Sequence, residues 1–180
     1  MADLNLTVAA KRAVSAESEA PAGQPIWDLI ELLFFAYRDF VSDPDDALAR
    51  FKFGRAHHRV LHFVNRNPGM KVADLLDILK ITKQSLGRVL KQLIDQGYVT
   101  QKEGENDRRQ RLLFATPKGE ALALKLAGLQ TERISRALSE LGPGAHDEAR
   151  RFLIAMTDAE GRDDVLKLIA RADGPRKGHS

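Results

Sequence analysis

Residues 71–114 read KVADLLDILKITKQSLGRVLKQLIDQGYVTQKEGENDRRQRLLF, and the fold follows from how this stretch is punctuated. Val72, Leu75, Leu76 and Leu79 are apolar at spacings of three and four, the period of one helix face. Leu86, Val89, Leu90 and Leu93 repeat that pattern within a second helix expected over 83–96. Thr82 precedes it as an N-cap, and Gly97 follows it as a residue able to take φ > 0. Two helices joined this tightly must pack at a steep angle, which is the helix-turn-helix arrangement.

The opposite face of the second helix carries Lys83, Gln84, Ser85, Arg88, Lys91 and Gln92, with Asp95 as the first acid. Gln, Ser, Arg and Lys hydrogen-bond base edges and phosphates, and the N-terminal half of such a helix enters the major groove. A merely solvated face would be expected to mix acids among these bases. Tyr98-Val99-Thr100 and Leu112-Leu113-Phe114 then predict two short strands, joined through 103–111 by the turn formers Gly104 and Asn106. Arg108, Arg109 and Arg111 cluster on this hairpin. A basic hairpin after a helix-turn-helix is a wing, whose Arg can enter the narrow, electronegative minor groove. A solvated hairpin is the alternative, and the hairpin alone does not decide between them.

In these residues the chain resembles the MarR-type winged-helix transcription regulators. The resemblance is carried by GMKVADLLDILKITKQSLGRVLKQLIDQGYV, by Asp107-Arg108-Arg109 and by Ala115-Thr116-Pro117-Lys118-Gly119, and covers 53–124 most closely. It implies that Asp107 anchors the wing and Arg109 probes the minor groove. It also implies that the first and last helices intertwine into a homodimer. A small aromatic or anionic effector would sit between the dimer base and the DNA-binding lobe. Tyr37, Phe40, Phe53, His57 and Arg59 combine aromatic area with donors and are the candidate walls. Two positions depart from the family pattern. Gly87 replaces a hydroxyl residue inside the recognition helix, at about 1 kcal/mol relative to Ala. Lys71 stands where the first helix usually has a Ser or Thr cap.

Composition bounds the rest. The 180 residues are 43% hydrophobic and 29% charged, enough for one globular core with appended helices. There is no cysteine, which excludes disulfides, thiolate metal sites and a thiol-based sensor. No apolar run is long enough to span a bilayer, and the N-terminus lacks a basic region followed by an apolar core. A cytoplasmic location without membrane association is expected. Net charge is only +3, but residues 50–118 hold 15 Lys and Arg against 6 Asp and Glu. A basic middle flanked by acidic arms suits a polyanion such as double-stranded DNA.

Outward from the lobe, residues 1–24 are expected to be a flexible tail, with at most a weak helix over 4–14. Residues 25–52 form a dimerisation helix and connector. Its helix, 26–41, carries Ile26, Leu29, Ile30, Leu33, Tyr37, Phe40 and Val41 on one stripe. Leu32, Phe34 and Phe35 lie outside that stripe, so more than one side needs cover. Ser42-Asp43-Pro44 is expected to break that helix, and 45–51 to form a short one. Residues 53–116 make the lobe, opened by a helix to about Arg66 and a turn at Asn67-Pro68-Gly69. Residues 117–173 are the C-terminal connecting and dimerisation helices: Thr116 and Pro117 start a long helix to Leu141, and 146–172 follow with an interruption at Glu160-Gly161-Arg162. Residues 174–180 are a second tail.

The expected fold is therefore mainly α with a small two-stranded β wing. The expected function is a sequence-specific DNA-binding regulator, a ligand-responsive repressor acting as a homodimer on a pseudopalindromic operator. No cofactor and no catalysis are expected. Two other classes stay open. His58 and His62 are four apart on one helix face with His57 beside them, which could serve a metal-dependent enzyme or metal sensor, given further ligands. A winged helix could also bind protein, but that role predicts an apolar recognition face.

Overall fold

The computed structural model describes residues 23–104, 107 and 109–174. Both expected tails lie outside them, apart from residues 23, 24 and 174, as does Arg108. The chain divides between residues 38 and 39 into two compact units. Helix α1, Trp27–Ala49, begins in the first unit and ends in the second. In the first unit Trp27, Leu32, Phe34, Phe35 and Tyr37 are exposed.

The second unit packs its elements in chain order. Helix α2 is Arg55–Arg66, strand β1 Met70–Lys71, helix α3 Val72–Leu79 and helix α4 Lys83–Asp95. Strands β2 Val99–Glu103 and β3 Arg111–Ala115 follow, then helices α5 Pro117–Leu141, α6 Ala145–Met156 and α7 Arg162–Asp173. The sheet is antiparallel in the order β1-β3-β2, with Met70 opposite Leu113 and Gln101 opposite Leu113 on its other side. Leu61, Leu75, Leu86, Leu93, Leu113 and Leu126 are buried in one core that draws on helices, wing and sheet together.

One expectation is corrected, and one element is added. Pro44 does not end α1; it lies inside the helix and is buried with Val41 and Leu48. An interior proline costs about 3 kcal/mol, while full burial of one Leu returns about 1.5–3 kcal/mol. The Ser42 hydroxyl also donates to the Asp39 carbonyl at 2.9 Å in the turn before the proline. Asp43 and Asp45 then pair with Arg133 and Arg55 at 2.9 and 2.8 Å. The added element is strand β1, which joins the expected two-stranded wing. The two residues of β1 are too few to show alternation, and their ladder partner lies more than forty positions away.

Local chemistry explains the boundaries. Thr82 Oγ1 accepts the Ser85 N–H at 3.1 Å and caps α4, while Gly97 takes φ 73° just beyond it. Lys71 caps α3 with no side-chain bond of its own; its N–H instead donates to Asp74 at 3.3 Å, the reciprocal half of a capping box.

Candidate nucleic-acid interface

Helix α4 buries Leu86, Val89, Leu90 and Leu93 and turns its other side outward. Lys83, Gln84, Arg88, Lys91 and Gln92 are exposed, and Ser85 is half-buried. Their commitments differ. Ser85 Oγ accepts from Thr82 Oγ1 at 2.9 Å, so its hydroxyl belongs partly to the cap. Lys91 pairs with Asp95 at 2.6 Å, one turn on. Lys83, Gln84 and Arg88 make no hydrogen bond or ion pair among the described residues. Gly87 has open space where a side chain would be. The uncommitted readers thus lie on the first two turns of the helix.

The wing is closed by its own backbone. Asp107 Oδ1 accepts the Arg109 N–H at 3.0 Å and its carbonyl accepts the Gln110 N–H at 2.9 Å. Gly104 donates to the Gln110 carbonyl, and a Cβ there would lie 2.8 Å from the Asp107 carbonyl oxygen. The Asp107 anchor expected from the family resemblance is therefore an Asx turn. It leaves the Arg109 side chain exposed at the tip. Arg111 is less available: it faces Glu103 across the ladder and pairs with it at 2.8 Å.

Thr116-Pro117-Lys118-Gly119 joins wing, recognition helix and α5. Thr116 Oγ1 caps α5 by accepting the Gly119 N–H and donates to the Gly97 carbonyl at 2.7 Å. Lys118 Nζ donates to the Gln96 carbonyl at 2.8 Å, satisfying the end of α4, and lies 4.2 Å from the centre of the Tyr98 ring. The motif thus holds α4 at a fixed angle to the wing.

Four of the five candidate effector residues, Phe40, Phe53, His57 and Arg59, lie in the second unit. Phe53 is buried in the core, stacked on His57 at 4.6 Å and edge-on to Tyr98 at 5.3 Å. Arg59 reaches the Leu79 carbonyl at 3.1 Å, capping the end of α3. Phe40 and His57 are half-buried, and Tyr37 belongs to the first unit. A separate apolar cleft of about 330 Å³ lies among α5, α6 and α7, lined by Leu138, Leu153, Val165, Leu166 and Ile169. None of the five candidates lines it.

His58 and His62 are packing residues of α2. Burial holds His58 below the ordinary histidine value; His62 beside it adds to the shift and Asp45 opposes it. Burial also lowers His62, with Arg66 adding. No group of three or more His, Asp or Glu suited to a metal occurs among the described residues. Because the unfolded chain protonates these rings more readily than the folded one, stability must fall as pH drops through the ordinary value of about 6.5. The denaturant midpoint should fall between about pH 7 and pH 5, where carboxylates are still mostly ionised. A His58→Gln, His62→Gln double variant should show a smaller fall. An identical fall in that variant would assign the effect to other groups.

No described helix is long and apolar enough to cross a membrane. Comparison with known proteins places this geometry. A model of the MarR family matches residues 52–110. The HTH-type transcriptional regulator PetP of Rhodobacter capsulatus is 44% identical over 151 residues, covering 79% of this chain and 91% of that protein. Among solved structures, the transcriptional regulator SlyA superposes with a TM-score of 0.62 at 19% identity, over 78% of this chain and 95% of that one. The S. aureus MepR–DNA complex gives 0.55 at 16% identity, over 70% and 93%. These two share the fold. Together with the 44% relative, the buried stripe of α4, its basic outer face and the Asx-closed wing lead to one assignment: the chain belongs to the MarR family of DNA-binding transcription regulators.

Proposed function

We propose that the protein acts as a homodimeric repressor on a pseudopalindromic duplex site and is released from it by a small aromatic or anionic acid. The observation that carries the DNA half is the outer face of α4, where Lys83, Gln84 and Arg88 have no partner among the described residues. A dimer would set two such helices into successive major grooves, about 34–36 Å apart. Repression would follow from occupying a site that other proteins need, in the cytoplasm where the DNA is.

Exposed apolar side chains support the dimer. Trp27, Phe34 and Phe35 in the first unit, and Leu141, Phe152, Leu153 and Met156 in the second, are all more than half exposed. A single soluble chain rarely leaves so many large apolar groups in water. Sedimentation at micromolar concentration should give about twice 20.0 kDa, and a stable monomer would refute this assembly. For DNA, fluorescence anisotropy should favour the duplex upstream of the protein's own coding sequence over random duplex by about 10³-fold or more. Equal affinities would remove the sequence-specific reading.

The effector half rests on Phe40, half-buried in the second unit, with His57 offering only ring area because Gly54 and Gln92 engage its two nitrogens. An acid acting this way must bind the DNA-competent and incompetent arrangements unequally. DNA must then weaken its binding by the same factor as it weakens DNA binding.

A further inference from the structure

His57 is held from three sides. It occupies the third position of α2, and its Nδ1 accepts the Gly54 N–H at 3.1 Å, the role an acidic residue usually fills in a capping box. Its ring stacks on Phe53 at 4.6 Å with 12° between planes. Its Nε2 lies 2.5 Å from Oε1 of Gln92, 35 residues away on the recognition helix.

These contacts fix the proton. A backbone N–H can only donate, so Nδ1 must be the bare nitrogen, and the proton of the neutral ring sits on Nε2. Nε2 is then a donor, and the atom it meets on Gln92 has to be the carbonyl oxygen. The orientation of the Gln92 carboxamide is thereby decided by chemistry, although amide ends are otherwise easily exchanged. Oε1 faces His57. The amino group, with two donors, is the end left over.

We propose that His57 is a positioning residue for DNA recognition: it draws the Gln92 carbonyl oxygen toward itself, so that the amino group of the carboxamide leads toward the duplex. The inference rests on α4 being the DNA-reading helix. Gln92 is exposed and lies one turn beyond Arg88 on the same side of α4. A glutamine with both ends available pairs bidentately with adenine, giving a hydrogen bond to N7 and taking one from N6. With Oε1 turned to His57, the paired geometry for adenine is lost and Gln92 favours a base that presents acceptors in the major groove. Guanine does so with O6 and N7, and thymine with O4. His57 thus turns an adenine reader into an acceptor reader without touching DNA.

The test is selection from a randomised duplex pool with the full chain, followed by anisotropy on single-base variants of the selected site. The native chain should prefer guanine or thymine over adenine at one position per half-site by about tenfold or more. Gln92→Glu replaces the donors with acceptors and should move that position toward cytosine, whose N4 donates. His57→Phe keeps an aromatic ring on Phe53 but frees the amide, and should let adenine rise to within about threefold of guanine at that position. A structural role for His57 would lower affinity for every site by one factor and shift no base preference. Thermal unfolding checks that His57→Phe is folded, and Gln92→Glu, on an exposed position, tests the idea independently. An adenine preference in the native chain overturns the proposal. So does a Gln92→Glu effect equal at all sequences, which would place Gln92 on a phosphate. Failure of the native chain to select any consensus would overturn the DNA-reading assignment itself, whereas a consensus indifferent to Gln92 overturns this inference alone.

Discussion

Gly119→Ala should destabilise the protein by about 3 kcal/mol or more, through strain that one added methyl cannot relieve locally. A Cβ at this position falls 1.9 Å from the Tyr98 carbonyl oxygen and 3.0 Å from its carbon. Both atoms are backbone, so no rotamer change makes room. Either the first turn of α5 or the segment after α4 has to move by more than an ångström. That segment is tied on every side. Tyr98 N–H donates to the Leu93 carbonyl at 2.8 Å, the Tyr98 carbonyl accepts the Thr116 N–H at 3.1 Å, and Lys118 holds the Gln96 carbonyl. Overpacking a well-filled site costs about 1–3 kcal/mol, and each hydrogen bond strained open adds about 0.5–1.5 kcal/mol. The melting temperature should therefore fall by about 6–12 °C. Gly128→Ala supplies the contrast on the same helix. Its Cβ would meet nothing within 4 Å, so the substitution should be neutral or stabilise by up to about 1 kcal/mol through helix propensity. If thermal unfolding finds Gly119→Ala within a degree or two of the native chain, the junction is softer than its contacts imply. The DNA-binding angle of α4 would then not be set by the Thr-Pro-Lys-Gly segment.

The sequence is legible where local chemistry and the hydrophobic period agree. Thr82, Gly97, Thr116 and Pro117 punctuate α4 and α5, and the bounds read from them lie within a residue of those observed. Pro44 misleads because a local rule is overridden by burial: the helix continues through it to bring Leu48 into the core. Strand β1 is hidden because two residues carry no period. The candidate interface divides in the same way. Which residues face outward on α4 follows from the stripe, but which of them are engaged does not. Lys91 with Asp95 is a visible i,i+4 pair. Arg111 with Glu103 depends on strand register, and His57 with Gln92 on how two helices cross. Residue type alone shows neither that Phe53 is core nor that Arg59 caps α3.

Those commitments sharpen what each arginine should do on DNA. Arg88 is exposed on the second turn of α4 and has no partner among the described residues, so its guanidinium can form a bidentate contact to guanine O6 and N7. Losing such a contact costs about 1–3 kcal/mol of discrimination. Arg88→Ala should therefore bring specific and random DNA closer in affinity. Lys91→Ala should do so much less, because Asp95 already engages that ammonium. Arg109 sits on the wing, where the minor groove offers a degenerate pattern and charge and width are what is read. Arg109→Ala should weaken specific and random binding more evenly and reduce the slope of log K against log salt by up to about one unit. Arg111→Ala should have a smaller effect on that slope, since Glu103 offsets its charge. Fluorescence anisotropy on both duplexes over a salt series measures all four. Should Arg88→Ala lower both affinities equally while Arg109→Ala abolishes discrimination, the wing reads sequence and α4 supplies charge. Should neither matter, the DNA lies against another face of the lobe.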